Sequence, residues 1–136
     1  MNAPEPDPKS VPTSAFKSRG GLRRVWNAFG YSRAGFAAAL RHEAAFRQEL
    51  ALGVPMLLLA PLVAPTALQA LALAGVVLLV WIVELLNSAI EALADSISTE
   101  QHPLLGRAKD LGSAAVMLAL LLAAAVWAVV IWLRWG

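Results

Sequence analysis

The sequence contains no cysteine and a single tyrosine among its 136 residues. Without thiols the protein forms no disulfide, binds no zinc through thiolates and uses no cysteine nucleophile. Charge is scarce as well, because 15% of the residues are charged and 59% are hydrophobic. The run from Leu50 to Val83 has no charge at all. This composition is typical of one small membrane domain rather than of a soluble domain.

Motifs of soluble kinases and of zinc enzymes are absent too. The sequence has no Walker motif and no glycine-rich kinase loop. His42, Glu43 and His102 do not have the spacing of a zinc-binding helix. The sequence therefore contains neither the established machinery of a soluble kinase nor a zinc-binding helix.

The charges that are present are unevenly distributed. Eight of the eleven lysines and arginines lie before Leu50, and all nine acidic residues lie at or before Asp110. The basic residues of the N-terminal arm are spread among aromatic residues, which favours a membrane surface over nucleic acid as its partner. Because basic loops stay in the cytoplasm, the arm and the Arg107/Lys109 loop predict a cytoplasmic N-terminus and a C-terminus on the other side.

Two segments precede the first membrane span. Residues 1–18 hold several prolines among small and charged residues, and we expect them to form a disordered tail. Residues 19–46 predict an amphipathic helix in the membrane interface, although Gly30-Tyr31-Ser32 interrupts the pattern. The apolar residues that define its face are Leu22, Val25, Trp26 and Phe29.

The uncharged run is too long for one helix. At a rise of about 1.5 Å per residue, Leu50–Val83 would make a rod of about 50 Å, against a hydrocarbon core of about 30 Å. We expect the break at Ala64-Pro65-Thr66, because proline lacks a donor and disfavours helix in the residue before it. Pro55 and Pro61 are expected to kink the first span. Residues 47–136 thus predict an all-α membrane domain with three transmembrane helices, at about 47–63, 67–97 and 108–133.

Polar side chains gather where the second span ends. On a helix that turns about 100° per residue, they fall within about one third of the circumference. An ionised side chain at the bilayer centre costs about 2.5 to 3.5 kcal/mol on insertion scales, so this polar stripe must face protein, water or a metal. Its members are Glu84, Asn87, Ser88, Glu91 and Asp95.

Carboxylates at a cytoplasmic interface suit a divalent metal and a phosphate. Magnesium is held by one or two carboxylates plus substrate phosphates, and Glu43 and Glu91, one from each of two spans, fit such a pair. Lys109 follows Gly106, and we expect it in the first turn of the third span, where free N–H groups favour a phosphate. Glu84 lies nearest the hydrocarbon, where a general base would meet a lipid hydroxyl.

The same residues leave other functions open. Acidic residues within a membrane also mark proton and ion pathways. Asn87 and Ser88 could join helices through hydrogen bonds and do nothing more. From the spacing alone, lipid phosphoryl transfer, an ion pathway and structural helix pairing all remain.

Three segments resemble the prokaryotic diacylglycerol kinases, which are small three-span membrane enzymes unrelated to soluble kinases. They are EAAFRQE at Glu43–Glu49, VELLNSAIEALAD at Val83–Asp95 and GRAKDLGSAAV at Gly106–Val116. The resemblance runs from about Arg24 to the C-terminus. It implies a homotrimer with shared sites in the bacterial inner membrane, with the C-terminus in the periplasm. The implied reaction is ATP- and Mg²⁺-dependent phosphorylation of diacylglycerol to phosphatidic acid by direct in-line transfer, for phospholipid recycling.

The resemblance also implies a role for each matching residue. Glu84 resembles the catalytic base, and Glu43 and Glu91 resemble metal ligands that also contact ATP. No phosphoenzyme is required, because a loose transition state needs positioning and charge neutralisation. The other implied ATP contacts are Arg24, Tyr31, Glu100, His102, Lys109 and Asp110. The implied lipid-substrate contacts are Arg24, Gln48, Glu49, Glu84, Asn87 and Ser113.

Two alternatives accompany this interpretation. Undecaprenol kinase shares the fold, although the FRQE segment at Phe46–Glu49 argues against it. A non-enzymatic, trimeric ion or proton pathway is the alternative from another class. It predicts that removal of the Glu84 carboxyl changes ion flux and no lipid product.

Overall fold

The computed structural model describes residues 21–100 and 102–136, and the regular structure within them is α-helix. In chain order the helices are α1 (Gly21–His42), α2 (Ala44–Val63), α3 (Ala67–Ile97) and α4 (Pro103–Trp135). By length and composition α2, α3 and α4 could each cross a membrane. The predicted all-α fold is confirmed, with three helices long and apolar enough to span a membrane. The tail predicted for residues 1–18 lies outside the described residues.

The turn between α2 and α3 lies where the proline predicted it. Ala64 has an extended backbone, with φ −75° and ψ 127°, as the residue before Pro65 should. The Thr66 hydroxyl accepts the Gln69 N–H at 3.3 Å, and the Gln69 side-chain oxygen accepts the Thr66 N–H at 3.1 Å. This reciprocal capping box starts α3 immediately after the proline.

The boundary between α1 and α2 differs from the sequence expectation. Residues 19–46 predicted a surface helix that reaches Phe46 and is interrupted at Gly30-Tyr31-Ser32, whereas the helix ends at His42 and a new one begins at Ala44. Glu43 between them has φ −103° and ψ 107°. No glycine or proline marks this break, so the sequence carries no local stop signal there. Conversely, α1 runs unbroken through Gly30-Tyr31-Ser32, since one glycine costs a helix only about 1 kcal/mol.

The last helix begins earlier than the predicted residue 108. Pro103 occupies its first turn, and the His102 side chain accepts the Leu104 N–H at 3.3 Å as an N-cap. Proline suits this position because its missing N–H would be unpaired there anyway. Lys109 therefore lies in the second turn rather than the first. The expectation that free N–H groups surround Lys109 is wrong, because those groups belong to the turn that begins at Pro103.

Contacts divide the protein into two compact units, the first ending at Phe36 and the second running from Ala37 to Gly136. Within the second unit α3 packs against both α4 and α2. We call the end of this unit that carries Pro65 the turn end. The end that carries Glu43 and the loop before Pro103 is the loop end. The turn end holds an apolar cluster of Ala60, Leu73, Val77, Trp127 and Val130.

Candidate active site

Towards the loop end, α3 turns two polar side chains inward. Glu84 is only 4% exposed and Asn87 only 8%. Leu86 and Leu93, on the opposite face, are 60% and 63% exposed. The polar stripe predicted from the sequence therefore faces protein at these two positions, while Asp95 at its far end is exposed.

Asn87 ties the stripe together and contacts α4. Its side-chain nitrogen donates to the Glu91 Oε1 at 3.1 Å, one turn further along α3. Its Oδ1 is buried without a hydrogen-bond partner and faces Gly112, where an added Cβ would overlap it. A glycine here lets the two helices approach closely. The absence of a side chain at Gly112 thus leaves a gap for the Asn87 amide. In that position the amide donates its hydrogen bond to the Glu91 carboxylate.

Glu84 interacts electrostatically with three other carboxylates of the described chain, and we call the four the carboxylate cluster: Glu43, Glu49, Glu84 and Glu91. Glu84 lies within electrostatic range of both Glu43 and Glu91. Glu49 lies within range of Glu84, and one of its oxygens, Oε2, is buried without a hydrogen-bond partner. Because these like charges repel one another, the cluster is suited to a cation or to groups that carry protons.

The cluster also limits how a metal can bind. Within residues 21–100 and 102–136, no three His, Cys, Asp or Glu side chains lie close enough to bind a metal by themselves. Magnesium needs fewer protein ligands than that, because it keeps waters and substrate phosphates in its shell. The hard oxygen donors of Glu43 and Glu91 therefore fit a magnesium ion that arrives with a phosphate.

A second polar site lies at the loop end, between the end of α3 and the start of α4. A cavity of about 530 Å³ is lined by three predicted nucleotide residues, Glu100, His102 and Lys109. The Lys109 ammonium pairs with the Asp95 carboxylate at 2.5 Å, and it is also within electrostatic range of Glu91. Lys109 thus links this cavity to the carboxylate cluster. The structure thus brings Glu100, His102 and Lys109 together around one cavity, and their contact with a nucleotide stays a prediction.

Five further residues were predicted to contact nucleotide or lipid. Gln48, Asp110 and Ser113 are exposed on their helices. Arg24 and Tyr31 lie on the part of α1 that belongs to the first unit, and both are exposed. Their predicted contacts with nucleotide and lipid stay predictions.

Three residues of this region were missed by sequence reasoning. Trp81 donates from its indole N–H to the Glu49 backbone carbonyl at 3.2 Å, joining α3 to α2. Gly53 lies under that indole, and Gly112 lies under Asn87. Trp81 had a usable signal, because it is the one aromatic residue of α3 and precedes Glu84 by three positions. The glycines had none, because Gly75 in α3 and Gly106 in α4 also lie within spanning helices and have nothing within 4 Å of an added Cβ.

Comparison with known proteins gives one consistent result. A sequence model of the family "Prokaryotic diacylglycerol kinase" matches residues 30–131. A diacylglycerol kinase of Pseudomonas aeruginosa is 49% identical over 118 residues, which cover 87% of this chain and 96% of that protein. The diacylglycerol kinase of Escherichia coli K12 is 47% identical over 119 residues, covering 85% and 95%. One from Helicobacter pylori 26695 is 37% identical over 107 residues, covering 79% and 84%.

The matched region contains the whole carboxylate cluster and the residues that line the loop-end cavity, from Glu43 to Lys109. Identity at this level over nearly the whole length of the relatives leaves no room for a different fold or a different class of protein. The chain therefore belongs to the prokaryotic diacylglycerol kinase family of membrane enzymes.

Proposed function

We propose that this protein transfers the γ-phosphoryl group of ATP to the free hydroxyl of diacylglycerol, giving phosphatidic acid and ADP. The observation that carries the proposal is the burial of Glu84, which is 4% exposed and lies on one of the three helices able to span a membrane, within electrostatic range of other carboxylates. A carboxylate is not retained in such a place without a use, because burying an unpaired charge is expensive. The names of the relatives support the same lipid kinase activity.

The chemistry follows from the positions of the side chains. Glu84 accepts the proton of the lipid hydroxyl while the hydroxyl oxygen of the lipid bonds to the γ-phosphorus of ATP. The bond from that phosphorus to the β,γ-bridging oxygen breaks at the same time. The electron pair of the broken bond leaves with ADP. Transfer of this kind needs positioning and charge neutralisation more than covalent help from the protein. No phosphoenzyme forms.

The two polar sites divide the binding of ATP between them. The loop-end cavity with Glu100, His102 and Lys109 takes the nucleotide, and the Lys109 ammonium neutralises phosphate charge. Glu43 and Glu91 hold the magnesium ion, which when bound supplies further neutralisation of the phosphates. Asp110 completes the nucleotide contacts, and Arg24 and Tyr31 on α1 close over the nucleotide.

The lipid stays in the bilayer throughout. Its glycerol end meets Glu84 beside Gln48, Glu49, Asn87 and Ser113, and Arg24 contacts it from the arm. α1 lies in the membrane interface, with apolar side chains such as Leu22 and Trp26, which are 89% and 79% exposed, in the lipid. The N-terminus and the site are cytoplasmic and the C-terminus is periplasmic, following the distribution of basic residues.

Three copies assemble with sites shared between subunits. The half-exposed carboxylates of Glu43 and Glu91 at the helix surface support this arrangement, since a neighbouring subunit would shelter them from lipid. By converting diacylglycerol to phosphatidic acid, the reaction returns the lipid to phospholipid synthesis. Native mass spectrometry from detergent checks the trimer directly, and a monomer that is fully active would contradict it.

The test uses purified protein in mixed lipid micelles with Mg²⁺ and γ-labelled ATP, comparing wild type, Glu84→Gln and Lys109→Ala. Diacylglycerol and undecaprenol are offered separately. For wild type we expect label in phosphatidic acid. In Glu84→Gln the rate of labelling should fall by about 10² to 10⁴-fold while ATP binding is retained. In Lys109→Ala the KM for ATP should rise. Label mainly in undecaprenyl phosphate would mean that the lipid substrate is undecaprenol and not diacylglycerol. No label in any lipid from a folded protein would end the kinase proposal and favour an ion pathway.

A further inference from the structure

One cross-helix contact beside the carboxylate cluster has no part in the chemistry proposed above. The Trp81 indole N–H donates to the backbone carbonyl of Glu49 at 3.2 Å, across 32 positions of sequence. Within α2 that carbonyl also serves the N–H of Gly53, one turn later. The indole is therefore fixed to the turn of α2 that carries the Glu49 carboxylate.

Gly53 makes this contact possible. A Cβ added there would lie 2.7 Å from Trp81 Cζ2 and 2.9 Å from its Nε1. These distances are well inside van der Waals contact, so any side chain larger than hydrogen would displace the rigid indole. Gly53 is buried, and Val77 closes the same gap at 2.9 Å from the added Cβ. The indole and the glycine form a matched pair.

The contact also determines which helix turns face each other. α2 and α3 are antiparallel, so the turn before Gly53, at Glu49, lies opposite the turn after Trp81, at Glu84. The electrostatic interaction between Glu49 and Glu84 agrees with this register. A slip of one turn, about 5.4 Å, would separate the two carboxylates.

Glu49 itself has a carboxylate suited to a substrate. Its Oε2 is buried without a hydrogen-bond partner. Beneath it lies a cavity of about 230 Å³, whose other described lining residues, such as Met56 and Leu120, are apolar or glycine. Glu49 thus lies at the boundary between the apolar cavity and the carboxylate cluster. A lipid bound there would place its acyl chains on the apolar side and its glycerol end on the side of the cluster.

We propose that Trp81 is a positioning residue for Glu49, holding its carboxylate beside Glu84 so that the two together orient the hydroxyl end of the lipid substrate. The inference rests on the proposed function and adds to it a residue that touches neither substrate. Trp81 acts through the Glu49 backbone, and Gly53 provides the space for it. The expected consequence is a defect in use of the lipid and not in use of ATP.

The test compares wild type with Trp81→Phe, Gly53→Ala and the double variant, all as full-length protein in mixed micelles. Trp132→Phe is the control, since Trp132 is 71% exposed at the turn end. Loss of a neutral hydrogen bond predicts a rise of about three- to tenfold in KM for diacylglycerol in Trp81→Phe. KM for ATP stays within about twofold, and Trp132→Phe behaves as wild type. Gly53→Ala gives the same pattern, and the double variant is no worse than Gly53→Ala alone, because the bond is already lost.

A second readout does not depend on activity. The protein has five tryptophans, and the indole ¹H–¹⁵N signal that disappears in Trp81→Phe is that of Trp81. In Gly53→Ala this signal moves to the position of an indole without a hydrogen bond. Equal effects on the KM values for lipid and ATP, additive effects of the two substitutions, or an unmoved indole signal would overturn the inference. Absence of phosphatidic acid from wild type refutes the proposed function instead, while the indole signal still tests the contact.

Discussion

The same three helices build two very different ends. At the turn end, Leu73 is fully buried and the side chains around it are apolar. At the loop end, Glu84 and Asn87 are buried. The same end has three buried polar atoms without a hydrogen-bond partner, namely Glu49 Oε2, Asn87 Oδ1 and Ser88 Oγ. Among the described residues the turn end has one such atom, the Trp127 indole nitrogen, against three at the loop end.

The difference separates stability from function along each helix. Apolar side chains that interlock hold helices together through dispersion, which is the main attraction available within lipid. Buried polar atoms without partners weaken a helix bundle, by about 1 to 3 kcal/mol each. Their concentration at one end indicates that ligands complete that end, while the other end holds the fold. Each prediction below tests this division.

The largest effect is expected from moving a carboxylate to the turn end. Leu73→Glu places there the same group that Glu84 places at the loop end. We expect little or no folded protein, because the charge costs about 2.5 to 3.5 kcal/mol on insertion scales and the packing of Leu73 is lost as well. Leu73→Met, which nearly conserves volume, serves as the control. Size-exclusion profiles from detergent measure the yield, and a normal yield of Leu73→Glu would contradict the division.

Two glycine substitutions sharpen the comparison on neighbouring helices. In Gly112→Ala the new methyl group displaces the Asn87 side chain, so both the α3–α4 contact and the hold on Glu91 are lost. We expect a destabilisation of about 1 to 3 kcal/mol and a large loss of activity. Gly75→Ala, where an added Cβ meets nothing within 4 Å, should be neutral or slightly stabilising.

Thermal inactivation midpoints and initial rates, measured on the same preparations, distinguish the two glycines. Equal behaviour of Gly112→Ala and Gly75→Ala would mean that the gap at Gly112 has no role. A loss of stability in Gly112→Ala with full activity would mean that Asn87 does not hold Glu91 for catalysis.

A smaller effect is expected from loss of the hydrogen bond from Asn87 to Glu91. Asn87→Ala removes the donor and should raise the Mg²⁺ concentration for half-maximal rate by about fivefold or more, in line with a hydrogen bond to a charged group. Asn87→Asp should be worse, because a second carboxylate then faces Glu91. Mn²⁺ binding followed by electron paramagnetic resonance, with a non-hydrolysable ATP analogue, gives the same order without turnover. Unchanged metal dependence in both variants would rule out the positioning role of Asn87.

Much of the fold could be read from the sequence, because membrane spans are encoded by composition and length. Pro65 placed the turn between α2 and α3, and the helix period placed Glu84 and Asn87 on one face. The break at Glu43 and the start of α4 at Pro103 were placed less well. A single extended residue between alanine-rich segments has no local signature, and the cap from His102 depends on side-chain geometry.

The candidate site was predictable in its residue types and not in its contacts. Carboxylates in an apolar context stand out, as does Lys109 after a glycine. The pairs that place them do not, because Trp81 on Gly53 and Asn87 on Gly112 join residues far apart in sequence. Which glycine accepts a neighbour depends on helix register, and register is decided by packing in three dimensions.

The smallest effect is expected at the exposed ion pair of the loop end. The side chains of Lys109 and Asp95 are 39% and 58% exposed, so solvent screens their attraction and the pair adds little to stability. Asp95→Asn should leave the thermal midpoint unchanged, in contrast to Gly112→Ala close by on α4. It should nevertheless lower the KM for ATP, because the Lys109 ammonium can then bind phosphate without first breaking its ion pair with Asp95. A lowered midpoint would show that the loop end also holds the fold, which the two ends compared above argue against.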